Sequence, residues 1–414
     1  MILKVIVTKR KLVALLWSMV YILILFSNII EQKFAFFNYI DESILFVATL
    51  YICIKWNDVK HSRVISKIII VLILTCMIGI IGNSIFNFQT SHVAIIKDMV
   101  SAIKFPIISC ALIVRKNTSS DLSLDDEILK IVQLISKLYL GILFVFGIVS
   151  LLKNNIGLTY DLRHGIYSYK FLYTHPTFLV YNVVIISVVI MASTKGISGY
   201  IYQCMAIFIL IISMRDKAFA YVVVLVGVLA LKILGIKKFK VKYLSVAAVI
   251  AFFISSTKIN EYRSYTWSPR EALLKNGIEL AKKCFPFGSG FASFGGALSG
   301  EYYSSAYSLF GMDLKDGTSP INYIDLGDSG LPYYYASFGF IGFIMFVYIG
   351  FLIFKQAYKF YVGNTDKLRA MILVLSYVLV CLPFENFLTN ESGATVALIL
   401  FIYIGSISKK ETNL

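Results

Sequence analysis

Four arginines (Arg163, Arg215, Arg263 and Arg270), two histidines (His164 and His175) and one aspartate (Asp328) are the residues whose types suit chemistry on a charged substrate. A guanidinium stays charged, and its planar fork binds phosphate oxygens in pairs. The arginines are therefore candidates to hold an anionic group and to match negative charge building on a leaving group. A carboxylate or imidazole within hydrogen-bond reach of a hydroxyl takes its proton as general base. Asp328 is the first candidate for that role, with His175 and His164 as alternatives. Each residue also has a plainer reading. The arginines suit interfacial anchors or ion pairs, Asp328 suits a helix N-cap ahead of Leu331-Pro332, and a histidine at a membrane boundary suits a structural hydrogen bond. Arg215 is set apart by its place in a very short turn between apolar stretches, whereas Arg270 occupies an early helix position open to solvent.

The elements that must position these residues are apolar. The chain has 414 residues, 58% of them hydrophobic and 15% charged, with a mean hydropathy of +0.78, which lies outside the usual globular composition. The expected fold is all-α, a polytopic integral membrane protein. With about 20 apolar residues per span, twelve transmembrane helices are expected near 12–30, 38–54, 65–86, 93–114, 128–151, 171–193, 197–214, 218–235, 243–256, 331–354, 370–388 and 392–408. Lys97, Asp98 and Lys104 interrupt the fourth. The basic stretch ahead of Leu12 is expected to lead a signal anchor retained as the first span. Residues 1–256 thus carry spans one to nine, 257–330 form one large extracytoplasmic loop, and 331–414 carry the last three.

The net charge of +16 does not point to nucleic acid, because the Lys and Arg are scattered between apolar segments without forming one basic face. The positive-inside rule puts Lys9 to Lys11, Lys55 to Lys67, Arg115 and Lys116, Lys237 to Lys242, Lys355 to Arg369, and Lys409 and Lys410 on the cytoplasmic side, with both termini. The four arginines fall on the opposite side, where topology does not call for them. The six cysteines show no CxxC pairing, so neither a disulfide framework nor a zinc site is indicated. Asp313 and Asp316, then Asp325 and Asp328, form no EF-hand loop, and no H-E-x-x-H occurs; no metal or other cofactor is expected. The Gly288 to Gly296 run lacks the strand before and the Lys after it that a nucleotide-phosphate loop needs, and fits tight backbone packing.

Within the large loop, Ser268-Pro269-Arg270-Glu271 reads as a helix start, with Ser268 as N-cap, Pro269 at the first position and Glu271 completing a capping box. The helix is expected over 269–283, with Leu273, Gly277, Leu280 and Cys284 on one apolar face. Tyr333 to Tyr335 suit an interfacial aromatic belt, and Tyr302, Tyr303, Tyr307 and Tyr323 suit either a belt or sugar stacking.

The order of these features resembles the O-antigen ligase and Wzy-type polysaccharide polymerase superfamily. The resemblance is carried by Arg163-His164-Gly165, Thr174-His175-Pro176-Thr177, Ser213-Met214-Arg215, Arg263 with Trp267, Pro286-Phe287-Gly288-Ser289-Gly290-Phe291, and Asp328-Ser329-Gly330 leading into a glycine-containing span. Asp41-Glu42 is similar to the acidic pair of other lipid-dependent glycosyltransferases. Ligases of the superfamily usually carry His-Asn where this chain has Asp328-Ser329, which puts a polymerase ahead of a ligase. The resemblance implies a GT-C-like glycosyltransferase, inverting and metal-independent, acting at the outer face of a bacterial cytoplasmic membrane. It implies polyprenyl-diphosphate-linked oligosaccharides as donor and acceptor, the lipid bilayer as surroundings, and a chain-length regulator and a flippase as partners. The product is a capsular, exopolysaccharide or O-antigen polymer. A ligase transferring glycan to another acceptor, or a lipid-linked oligosaccharide flippase, are the alternatives.

Overall fold

The computed structural model describes residues 9–118, 122–153, 157–236 and 267–405; the predicted span at 243–256 and Arg263 lie outside the described residues. In chain order the helices are α1 (Lys9–Glu31), α2 (Ile40–Ile54), α3 (Trp56–His61), α4 (Arg63–Phe86), α5 (His92–Thr118) and α6 (Leu122–Leu152). A hairpin of β1 (Thr159–Arg163) and β2 (Ile166–Tyr169) follows, then α7 (Pro176–Ser193), α8 (Gly196–Ile212) and α9 (Asp216–Ile233). The loop region holds α10 (Pro269–Lys283) and α11 (Ala297–Glu301), and the chain continues through α12 (Gly330–Tyr361), α13 (Thr365–Cys381) and α14 (Glu391–Leu398), which passes into a π-helical turn at Ile399–Tyr403.

Among the described residues, Arg10–Glu31, Ala35–Ile54, Arg63–Phe86, Leu124–Leu152, Pro176–Ser193 and Gly330–Tyr361 are long and apolar enough to cross a membrane, and Gly196–Ile212 and Glu391–Tyr403 are shorter apolar helices. Strand is confined, among those residues, to the one hairpin. The chain is thus predominantly helical and fits an all-α membrane protein. In α4, Ile65, Ile68, Leu72 and Thr75 are buried at helical spacing, yet the opposite face presents Ile70, Ile73, Met77 and Ile80 to the surroundings. A helix that is apolar all round needs either a core or lipid on its outer side. By contrast α7 is enclosed by protein, with 72% of its apolar window buried and α6, α8 and α13 packed around it.

The hairpin explains why α7 begins at Pro176, later than the predicted 171. Its register pairs Thr159 with Tyr169 and Arg163 with Ile166, leaving His164 and Gly165 as a two-residue turn with φ of 49° and 81°. Positive φ at both central residues is the type I′ geometry that matches strand twist.

α10 forms over the predicted residues, and the Ser268 hydroxyl accepts the Glu271 N–H at 3.5 Å. Its apolar face turns inward. Leu273, Leu280, Ala281 and Cys284 are buried together with Phe294, Tyr307, Tyr335 and Ala336, so α10 packs on the first turns of α12. That packing overturns the aromatic-belt expectation for Tyr333, Tyr334 and Tyr335. All three are buried; the Tyr333 hydroxyl donates to Asp98 at 3.2 Å and that of Tyr335 to the Leu274 carbonyl at 2.9 Å. The folded loop covers these three rings, so they pack against protein.

The glycine-rich run after α10 docks into a break in α12. Gly339 adopts φ 64°, ψ 179° inside that helix, and the carbonyls of Ala336 and Ser337 accept the N–H groups of Ser289 and Gly290 at 2.9 and 2.8 Å. Asn83 of α4 closes the same segment from the other side, exchanging hydrogen bonds with Phe291 N and O at 2.8 and 2.9 Å. Asp98 of α5 accepts the Ala292 N–H at 2.7 Å. A Cβ on Gly288 would overlap the Gly339 backbone nitrogen, and Gly288 itself sits at φ 77°. We therefore expect Gly288→Ala to destabilise the fold by roughly 2 kcal/mol or more, read as a lowered melting temperature of the detergent-solubilised protein; an unchanged melting temperature would contradict this packing.

Candidate functional site

Arg163, His175, Arg215, Lys217, Arg270, Asp328 and Glu385 line one cavity of about 450 Å³, with Thr177, Phe178, Asp216 and Phe384. Five of the predicted residues are thereby brought together from the hairpin, the start of α7, the α8–α9 turn, the first turn of α10 and the approach to α12. His164 is not among them, since it stands exposed at the tip of the hairpin.

Each polar side chain has a local reason for its position. Asp161 and Arg163 are two apart on a strand and so share a face; the Arg163 Nε donates to Asp161 Oδ2 at 2.7 Å. The α8–α9 turn is tightened by Met214 at φ 52°, and Arg215 stands as the residue before α9. Its Nη2 donates to Asp161 Oδ1 at 2.7 Å, and its guanidinium lies 5.6 Å from the Tyr160 ring centre. The Arg215 Nε is buried and has no hydrogen-bond acceptor among the described residues. Two guanidinium groups thus lean on one carboxylate. Burial alone would raise the pKa of Asp161, but the Ser168 hydroxyl and the two arginines outweigh it and hold the group below its ordinary range.

Two further cations meet carboxylates. The Lys217 ammonium meets Glu385 at 2.7 Å and the Arg270 guanidinium meets Asp328 at 2.8 Å. Asp328 is not the N-cap of α12; Ser329 occupies that position, while the Asp328 carboxylate faces Arg270. Asp216 also lines the cavity beside Arg215, so what this end offers an anion is the buried Arg215 Nε–H, a charged donor with no acceptor among the described residues.

His175 caps α7, with Nδ1 accepting the Thr177 N–H at 3.2 Å and the ring set edge-on to Tyr160. Burial, then the neighbouring Arg215 charge, pushes its pKa down to about 4. A neutral imidazole that accepts at Nδ1 carries its proton on Nε2, so His175 offers the cavity a hydrogen-bond donor and not a base.

Asp161, Lys217 and Glu385 were not singled out in the sequence. Lys217 lies two residues beyond Arg215 in the same turn, Asp161 lies two before Arg163 on an alternating stretch, and Glu385 is an acid in the connection before the last apolar segment; those spacings were the available signals. Trp267 faces into the loop, its indole donating to the Asp316 carbonyl at 3.3 Å with Lys315 over its ring. Among the described residues no three His, Cys, Asp or Glu side chains gather in a way that could hold a metal ion.

The lowered His175 pKa has a definite sign. Between its ordinary 6.5 and the folded value of about 4 the unfolded chain binds the proton more tightly, so stability falls as pH is lowered through that window and levels off below it. Melting temperatures measured from pH 7 to 4 should fall more steeply for the wild type than for His175→Asn, and parallel curves would refute the burial of a neutral ring here.

No protein-family model matches the chain and no curated protein matches it, so the chemistry of the cavity itself is what bears on function.

Proposed function

We propose that the chain is a membrane glycosyltransferase that polymerises polyprenyl-diphosphate-linked oligosaccharide repeat units into a polysaccharide. The reading places twelve spans in a bacterial cytoplasmic membrane, both termini inside and the cavity at the outer face. The observation that carries it is the meeting of Arg163, Arg215 and Arg270 with a neutral histidine and three carboxylates in one cavity. An apolar groove of about 310 Å³, lined by Phe105, Leu331, Phe346, Val378 and Leu382 among others, supports it too, since Leu331 and Leu382 each stand close in the chain to Asp328 and Glu385. A polar head beside an apolar groove suits a lipid diphosphate.

In this reading the diphosphate sits at the Arg163–Arg215 end, taking the spare Arg215 Nε–H and the His175 Nε2–H. Arg270 turns from Asp328 to the phosphates, which frees the carboxylate. The acceptor hydroxyl oxygen then attacks the anomeric carbon of the donor chain from the face opposite the diphosphate. As the new C–O bond forms, the old one breaks, its electron pair leaves on the diphosphate, and the hydroxyl proton passes to Asp328. The configuration inverts. The arginines stabilise charge that is larger in the transition state than in the bound substrate, which is the condition for raising the rate.

With a purified protein and a defined lipid-linked unit, Arg215→Ala and Asp328→Asn are each expected to slow chain extension about 10²-fold or more, while single units accumulate. Polymer of wild-type length from both variants at normal expression would overturn the proposal. Transfer that requires a second acceptor would make the protein a ligase, and transport without bond formation a flippase.

A further inference from the structure

A second cavity, of about 610 Å³, lies beside the first, and Thr177, Phe178 and Glu385 belong to the walls of both. Its size falls in the range of about 300–1,000 Å³ typical of small-molecule sites. The other polar walls come from elements far from the arginines: Asp41 and Glu42 of α2, Lys104 of α5, Asn182 of α7 and Glu391 of α14.

Acceptors dominate this cavity. Asn182 is 3% exposed; its Nδ2 donates to the Phe178 carbonyl at 2.9 Å, and its Oδ1 receives no donor among the described residues. Asp41 is 4% exposed; Lys104 donates to its Oδ2, while its Oδ1 receives none. Glu42 repeats the pattern, with Oε1 taking the Lys104 ammonium at 2.9 Å and Oε2 without a donor. Buried acceptors without donors cost stability, and polar side chains placed on apolar helices mark function by default. What would satisfy them is a ligand rich in O–H groups.

The charges narrow its class. Of the two lining cations, Lys104 is held by Asp41 and Glu42 and Lys97 by Tyr302 and Glu301, so a phosphate finds no cation there that is not already engaged. Tyr39, Phe178 and Phe387 add aromatic surface to the same walls, and a sugar ring has both the apolar face for them and the hydroxyl edge for the acceptors.

We propose that this cavity is a neutral-glycan subsite that seats sugar of the acceptor chain beside the diphosphate cavity, with Asn182 and the Lys104-held Asp41–Glu42 pair as the hydroxyl-recognising groups. It rests on the glycosyltransferase reading. Glu385 and Phe178, on the shared wall, then mark where acceptor and donor meet.

The test uses the full chain in lipid nanodiscs with two probes, inorganic pyrophosphate followed by calorimetry and a panel of neutral oligosaccharides followed by saturation-transfer NMR. At least one oligosaccharide is expected to bind, and Asn182→Leu and Asp41→Asn are each expected to weaken it about tenfold while pyrophosphate affinity stays within about twofold. Arg215→Ala is expected to do the reverse. Retained pyrophosphate binding also shows that a variant is folded, and if Asn182→Leu fails that control Asp41→Asn decides. The subsite is overturned if no oligosaccharide binds, if binding ignores both substitutions, or if the cavity takes only a cationic probe such as a diamine. Failure of pyrophosphate to bind, with glycan binding intact, would instead count against the diphosphate cavity.

Discussion

The contact on which the rest depends is backbone to backbone, where Gly288 and Gly290 enter the break that Gly339 makes in α12. Side chains on Gly288 or Gly339 would keep the two segments apart, and without the approach the carbonyls of Ala336 and Ser337 would lose the donors they have in Ser289 and Gly290. Buried polar groups need such partners, so the loop segment and the broken helix stabilise each other. Asn83, Gln89 and Asp98, from α4, α5 and the link between them, hold the far side of the same segment. Through this junction α10 is held on α12, and the Arg270–Asp328 pair forms where the two elements begin.

α7 does the corresponding work on the other side. Because it is enclosed by protein, the residues of its first turns face protein cavities instead of lipid. His175 and Thr177 reach the arginine-lined cavity, Thr177 and Phe178 are shared, and Asn182 reaches the second. The polar residues that interrupt α5 fall into the same scheme. Lys97 meets Tyr302 at 3.0 Å, Asp98 holds the glycine-rich segment, and Lys104 holds Asp41 and Glu42. Each has a partner within the protein, as ionisable groups on a helix of this kind require.

Local features were readable because local physics decides them. Ser268-Pro269 with Glu271 announces a helix start whatever surrounds it, and α10 begins there. The long apolar segments are helical because backbone groups in hydrocarbon must be satisfied within the segment. The hairpin at 159–169 leaves little trace in the sequence because its strands are only five and four residues long, and in Arg163-His164-Gly165 the charges mask a two-residue turn. Tyr333 to Tyr335 depart from the belt expectation because aromatic residues at a span's start look the same in sequence whether lipid headgroups or a folded loop lie over them.

The sequence by itself determined the apolar, helical class of the chain, the start and face of α10, and which residue types were available to hold an anion. Only the tertiary structure decided that Arg163, Arg215 and Arg270 share a cavity, that Asp161 joins two of them, that Glu385 and Lys217 complete the wall, and that Asn182 faces a second chamber. The reason is one of range. Helix and cap preferences act over a few residues and are written in consecutive positions, whereas the partner of a charge is fixed by packing between distant segments, here above all by the closure of the glycine-rich run on α12.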